Sequence, residues 1–139
     1  MKKVIVDTCV WSLSLRRRSA ASLKISEQQM VAQLKQAIQD GRALIIGPIR
    51  QEILSGIRDT AHFTRTQGLL DPFVDEGIIA SDYAEAARLY NVCRDHGVEC
   101  GSLDILICAV AVRNHCDILT YDAGLVRCIA VLRGVYHIL

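Results

Sequence analysis

Lys3-Val4-Ile5-Val6-Asp7-Thr8-Cys9 is an apolar, β-branched run closed abruptly by an acid. Successive Val and Ile with no polar alternation suit a strand buried on both faces, the pattern of a parallel sheet. Three further acids hold comparable places. Asp122 follows Ile118-Leu119-Thr120, Glu52 comes shortly after Ala43-Leu44-Ile45-Ile46-Gly47, and Asp104 stands just before Ile105-Leu106-Ile107. In an open α/β sheet, strand ends and the helix mouths beside them converge on one crevice at the carboxyl edge. Asp7, Glu52, Asp104 and Asp122 are therefore expected in one site.

The rest of the chain alternates in the same way. Lys3–Val6, Ala43–Ile46, Ile118–Leu119 and Val135–Leu139 read as buried strands. Ser26 with Gln29 predicts a capping box opening a helix that ends near Asp40-Gly41. Pro48 suits the first turn of a helix over 49–57, Asp82 with Glu85 suggests a second capping box, and Gly97 is the expected stop. Leu103–Arg113 contains eight consecutive apolar residues; its alanines, its cysteine and a preceding Ser102 favour a buried helix over a strand. A last helix is expected over Gly124–Leu132. Alternating strands and helices argue for a parallel sheet covered on both faces, as one domain over 1–139. Asp71-Pro72 breaks the chain without marking a domain boundary.

No apolar stretch approaches the length needed to span a bilayer, and only three apolar residues separate Lys2-Lys3 from Asp7. A cytoplasmic protein with no membrane partner is the expectation. The six cysteines show no C-x-x-C pair and no zinc-finger offset to histidine, so they are expected to be reduced and structural. Cys9 would need an arginine six positions on to serve a phosphatase loop, and that position is Leu15. The four histidines form no cluster in sequence and are read as surface or capping residues. Net charge is +1, but Lys2, Lys3, Arg16, Arg17, Arg18 and Lys24 crowd the first 24 residues against Asp7 alone. A solvated face is the commoner meaning of such a run. Its place soon after the Asp7 strand also suits contact with a phosphate backbone.

Taken singly, each acid has an ordinary explanation: Asp7 and Asp122 as caps, Glu52 as dipole compensation in a first helical turn. Asp104 is harder to dismiss, since acids are seldom placed near an interior without a partner. Together they have a cost. Two carboxylates ~4 Å apart repel by roughly 4 kcal/mol at an effective dielectric of about 20, against a domain stability of only about 5–15 kcal/mol. A divalent cation reverses that sign, and Mg²⁺ takes such oxygen donors. Nucleotide-binding glycine loops and a G-x-S-x-G elbow are absent. A haloacid-dehalogenase-type phosphatase would need a second aspartate after Asp7, and a phosphate-receiver domain would need paired acids and a late lysine; neither pattern is present.

Val4-Ile5-Val6-Asp7-Thr8-Cys9-Val10-Trp11 resembles the opening of PIN-domain nucleases, especially the VapC-type toxins of bacterial toxin–antitoxin pairs. Arg50-Gln51-Glu52-Ile53-Leu54-Ser55-Gly56, Asp104-Ile105-Leu106-Ile107-Cys108-Ala109-Val110-Ala111 and Leu119-Thr120-Tyr121-Asp122 resemble the family's later motifs, in the family's order. The resemblance implies a three-layer α/β/α sandwich with a central parallel sheet and Mg²⁺- or Mn²⁺-dependent cleavage of RNA. It further implies homodimerisation and inhibition by a small cognate antitoxin. By this likeness Asp7, Glu52, Asp104 and Asp122 form the catalytic and metal-binding set, with Thr120 orienting a ligand or water. Arg16, Arg17 and Arg18 are the expected RNA-backbone contacts. The chain departs from the pattern at Gly124 and Leu125, where many relatives carry another acid followed by an aromatic. That departure favours one-ion catalysis and keeps a non-catalytic RNA- or protein-binding module as the alternative. Tyr83, Ala87 and Tyr90 share one helical face, expected to be core before partner surface.

Overall fold

The computed structural model describes residues 1–15 and 22–136. Arg16, Arg17, Arg18 and His137 lie outside the described residues. Val4, Ile5 and Val6 form β1 (Val4–Val6), buried along its whole length. Parallel neighbours flank it: β2 (Ala43–Leu44) on one side and β3 (Asp117–Leu119) on the other, in the order β2-β1-β3. Val4 and Ile5 stand opposite Ala43 and Leu44, while Val4, Ile5 and Val6 stand opposite Asp117, Ile118 and Leu119. Parallel neighbours need crossovers, which helices supply. They are α1 (Thr8–Leu15), α2 (Ile25–Gln39), α3 (Gly47–Leu54), α4 (Thr60–Leu70), α5 (Ala80–Asp95), α6 (Ser102–Asn114) and α7 (Ala123–Tyr136). The result is the expected α/β/α arrangement.

Ile105–Val112 is helical rather than extended, and Ile105, Ile107, Cys108, Ala109, Val110 and Ala111 of α6 are buried. Its small residues let α5 and α7 pack closely against it. Arg50 fastens the connection between α4 and α5: its guanidinium donates to the carbonyls of Leu70 and Phe73 (3.0 and 2.7 Å) and to Asp75 Oδ1. Among the described residues no helix is long and apolar enough to cross a membrane.

Several local expectations shift. Val135 and Tyr136 belong to α7 and not to a fourth strand; the apolar positions of that segment continue the helical pattern. The helix α2 opens after Lys24, whose N–H is accepted by Glu27 Oε1 at 3.0 Å, so the Ser26–Gln29 box is not used. Similarly, α5 opens after Ile79, with Asp82 Oδ2 accepting the Ile79 N–H at 2.9 Å. The Asp82–Glu85 box is thus displaced, and Glu85 pairs with Arg88 instead. Gly101, not Ser102, occupies the N-cap of α6. Tyr83 is 58% exposed and Ala87 is exposed, because the buried face of α5 is Asp82, Ala86, Leu89 and Cys93. Those two residues are therefore not core.

The cysteines are not all reduced. Cys100 and Cys128 form a disulfide with Cα atoms 6.2 Å apart, across 28 residues of chain. Their sequence spacing carries no signal, since the fold alone brings them together. Cys108 is the buried small residue expected of it. His96 and His115 do terminate helices, His115 in the left-handed conformation at φ 53°, and His62 is exposed.

Asp82 is 1% exposed and pairs with Arg113 of α6, through Nε at 2.7 Å and Nη2 at 2.9 Å. The Arg113 hydrogen bonds hold the Asp82 carboxyl below its usual value. A depressed folded-state pKa contributes stability above the unfolded value, about 3.9, and that contribution is lost as pH falls through the folded value. Arg113→Ala is expected to lower the thermal midpoint at pH 7, with the deficit shrinking below pH ~4. A deficit equal at pH 3 and pH 7, measured by thermal unfolding, would show that the pair is not its source.

Candidate functional site

Asp7 sits where the central strand ends. Its backbone N–H continues the β1–β3 ladder to Leu119 O at 2.9 Å, and its carbonyl accepts from Val10 and Trp11 to start α1. The side chain is held from two sides and is only 6% exposed. Oδ1 accepts the Thr8 N–H at 2.8 Å, and Oδ2 accepts the Thr120 hydroxyl at 2.8 Å. Thr120 also accepts the Asp122 N–H at 3.0 Å, so one hydroxyl ties the first acid to the loop carrying the last. Asp122 is a helix cap as well as a site candidate: its Oδ2 accepts the Leu125 N–H at 2.9 Å.

Asp104 lies in the first turn of α6 and is half-buried. Among the described residues its carboxylate has no hydrogen-bond or ion-pair partner. Its pKa is raised to about 6, first by burial and then by Asp122, Asp7 and Glu52. All four acids are thus gathered within electrostatic reach of one carboxylate. The gathering is uneven. Asp7 is buried, Asp104 is partly covered, and Glu52 and Asp122 are exposed at the rim. Glu52 is the sixth residue of α3, because that helix starts at Gly47; it lies beyond the first turn and is too far along for dipole compensation.

Three neighbours complete the surroundings: Gly124 and Cys9, whose packing on the acids the sequence did not reveal, and Thr8. Gly124 faces the gap between two acids: a Cβ there would stand 3.2 Å from Asp122 Oδ2 and 3.7 Å from Asp104 Oδ2. A Cβ at this position would crowd the Asp122 carboxylate and make an ordinary contact with that of Asp104. Cys9 lies against Asp7 Oδ2 at 3.4 Å and Thr120 Oγ1 at 3.6 Å. Burial, chiefly, pushes its thiol pKa up, which leaves it protonated and a poor nucleophile. The third is Thr8 Oγ1, buried without a hydrogen-bond partner among the described residues. Only the burial of a neighbouring hydroxyl could have exposed it, and burial is not written in a dipeptide.

A family model for the PIN domain matches residues 4–129. The chain belongs to the PIN-domain family. A comparison with curated proteins finds no match. PIN domains are in general metal-dependent nucleases, and the four carboxylates are hard oxygen donors of the kind such metals take. Among the described residues no three Asp, Glu, His or Cys side chains are close enough to hold an ion by themselves. The donor set still fits a hydrated Mg²⁺, which usually takes one or two carboxylates and fills its shell with water and substrate phosphate. A separate cavity of about 290 Å³, lined by Lys3, Ile38, Leu44, Phe73 and Val74 among others, lies at the amino ends of β1 and β2, away from the acids.

The raised Asp104 pKa has a sign that can be tested. A carboxyl whose folded pKa exceeds its unfolded value destabilises the fold once it ionises, so the metal-free PIN domain loses stability as pH rises from about 3.9 until it passes about 6. Asp104→Asn removes that charge. In metal-free buffer it is expected to raise the thermal midpoint at pH 7.5, with the gain shrinking as pH falls below about 6 and vanishing only below pH ~4, where the carboxyl is protonated folded and unfolded alike. A variant less stable than wild type at pH 7.5 would contradict the charge reading.

Proposed function

We propose that this PIN domain is a Mg²⁺-dependent endoribonuclease, with Mn²⁺ as a substitute, and the toxin of a type II toxin–antitoxin pair. The observation that carries the reading is Asp104: a partly buried, unpartnered carboxylate facing Asp122, Asp7 and Glu52. Asp7 and Asp104 would hold the ion, directly or through water. Bound there, the ion supplies Lewis acidity for in-line hydrolysis of a phosphodiester.

The remaining roles belong to the chain. Thr120 fixes the Asp7 carboxylate by donating to Oδ2, leaving the ligand pre-oriented. Asp122 has Oδ2 committed to capping α7, so Oδ1 is the oxygen it can turn to the site. Glu52, exposed at the rim, is placed to accept a proton from the attacking water. Arg16, Arg17 and Arg18 hold the flanking RNA backbone without choosing bases. The protein works as a cytoplasmic homodimer restrained by its antitoxin, and the exposed Tyr83–Ala87 strip of α5 is open to a partner.

The second reading, a non-catalytic RNA- or protein-binding module, draws on Gly124 in place of an acid and on the spread of the carboxylates. Cleavage separates the two. Purified protein with Mg²⁺ should cut structured RNAs. Asp7→Asn and Asp104→Asn are each expected to lower the rate by at least ~100-fold, the scale of losing a group that stabilises transition-state charge. Thr120→Val, which frees the Asp7 carboxylate and removes the acceptor of the Asp122 N–H, should lose about 10- to 100-fold, as removal of a metal ligand's outer partner does. Wild-type activity in both aspartate variants would rule the catalytic assignment of these acids out, and no Mg²⁺-dependent cleavage by the wild type would favour the binding module. The arginine cluster is tested separately: replacing Arg16, Arg17 and Arg18 by Ala should flatten the dependence of log affinity on log salt by up to ~2.1–2.7, depending on strand form. An unchanged slope returns the cluster to a solvated surface role.

A further inference from the structure

Four buried sulfurs lie behind the acidic crevice. Cys93 of α5, Cys108 of α6 and Cys128 of α7 are buried, as is Cys100 just before α6. Only Cys100 and Cys128 are joined, although Cys93 Sγ lies 3.9 Å from the Cys128 carbonyl. Burial raises the thiol pKa of Cys93, and that of Cys108 to about 12, so these two resist oxidation as thiolates.

The bonded pair has a particular position. Cys100 is four residues before Asp104, and Gly101 between them packs on Asp104 Oδ2, with a Cβ there 3.6 Å away. Cys128 is six residues after Asp122, on the helix that Asp122 caps. Asp122 is the foremost charge acting on Asp104. The disulfide therefore joins the two backbone segments whose carboxylates repel each other.

We propose that the Cys100–Cys128 disulfide is a redox clamp on the acidic site: oxidised, it keeps Asp104, the proposed ion ligand, in place beside Asp122, and reduced, it lets the two carboxylates part and weakens cation binding. The inference rests on the reading of the acids as a cation site. The partner is a low-molecular-weight thiol. Its thiolate attacks the sulfur of Cys100, which keeps 6% of its surface exposed against none for Cys128. A mixed disulfide forms and the Cys128 thiolate leaves, taking a proton. A second thiol attacks the mixed disulfide and releases Cys100. Two electrons pass to the protein, which gains two thiols, and the small thiol leaves as its own disulfide. The small disulfide reverses the exchange.

The test uses the intact chain, first as isolated and then after reduction by a small thiol and anaerobic desalting. Alkylation under denaturing conditions with mass measurement should count four free thiols before reduction and six after. Calorimetric titration with MnCl₂ should give a dissociation constant roughly 5-fold or more lower in the oxidised form, the smallest effect expected of a real coupling between sites. Cys100→Ser should bind Mn²⁺ as the reduced wild type does and ignore the thiol. If that variant does not fold, the two wild-type forms decide alone. Six thiols before reduction, or equal Mn²⁺ affinity in both forms, would overturn the clamp while leaving the cation site standing. No Mn²⁺ binding in either form would overturn both.

Discussion

The site depends on one constraint, that β1 is a strand of three residues with parallel neighbours on both sides. A central strand must pair its backbone groups in both directions, so the chain leaves β1 toward β2 and reaches β3 on the far side. The carboxyl end of β1 is where these connections diverge, and such a divergence opens a crevice. Asp7 is the residue at that point. Register matters as much as order. The bond from Asp7 N–H to Leu119 O sets Thr120 beside the Asp7 carboxylate. A slip of one residue would present Leu119 or Tyr121 there and turn the alternate side chains to the other face.

The four acids are held with very different firmness. Asp7 is gripped by an amide, a hydroxyl and a thiol. Asp122 is half committed to a helix end, and Glu52 stands at the rim with no fixing contact among the described residues. This is a graded arrangement: one firmly held carboxylate at the base of the crevice and looser ones toward solvent. A hydrated ion with substrate phosphate in its shell suits such an opening better than a closed cage of protein oxygens would. Gly124 suits the same opening, since a Cβ there would crowd Asp122 Oδ2 at 3.2 Å.

Much of this was readable beforehand because strand ends and buried helices leave compositional marks. Val4–Val6 is uninterrupted by polar residues, and the run after Asp104 is too apolar for anything but the interior. What could not be read has a common physical cause: it depends on contacts between distant segments. Which of Ile79, Lys24 or Ser26 starts a helix is settled by where the preceding chain enters, and short polar side chains at neighbouring positions compete closely for the same amides. Val135 and Tyr136 look β-like locally but continue a helix already packed on α5 and α6. Tyr83 and Ala87 keep helical spacing, yet the face turned inward is the one led by Asp82. The Cys100–Cys128 pairing arises from helix packing alone.

Asp82 and Asp104 make the most instructive comparison. Both are acids withdrawn from solvent, and both involve α6. Asp82 meets Arg113 at 2.7 Å, and its charge is held in the ionised form. Asp104, nine residues before Arg113 on the same helix, meets only other carboxylates, and its ionisation is opposed. The fold can therefore neutralise a buried acid and does so at one end of α6. Leaving the acid at the other end without a basic partner costs stability at neutral pH. An uncompensated charge retained at the carboxyl edge of a parallel sheet, among like charges, is best accounted for by a cationic ligand that the chain does not itself provide.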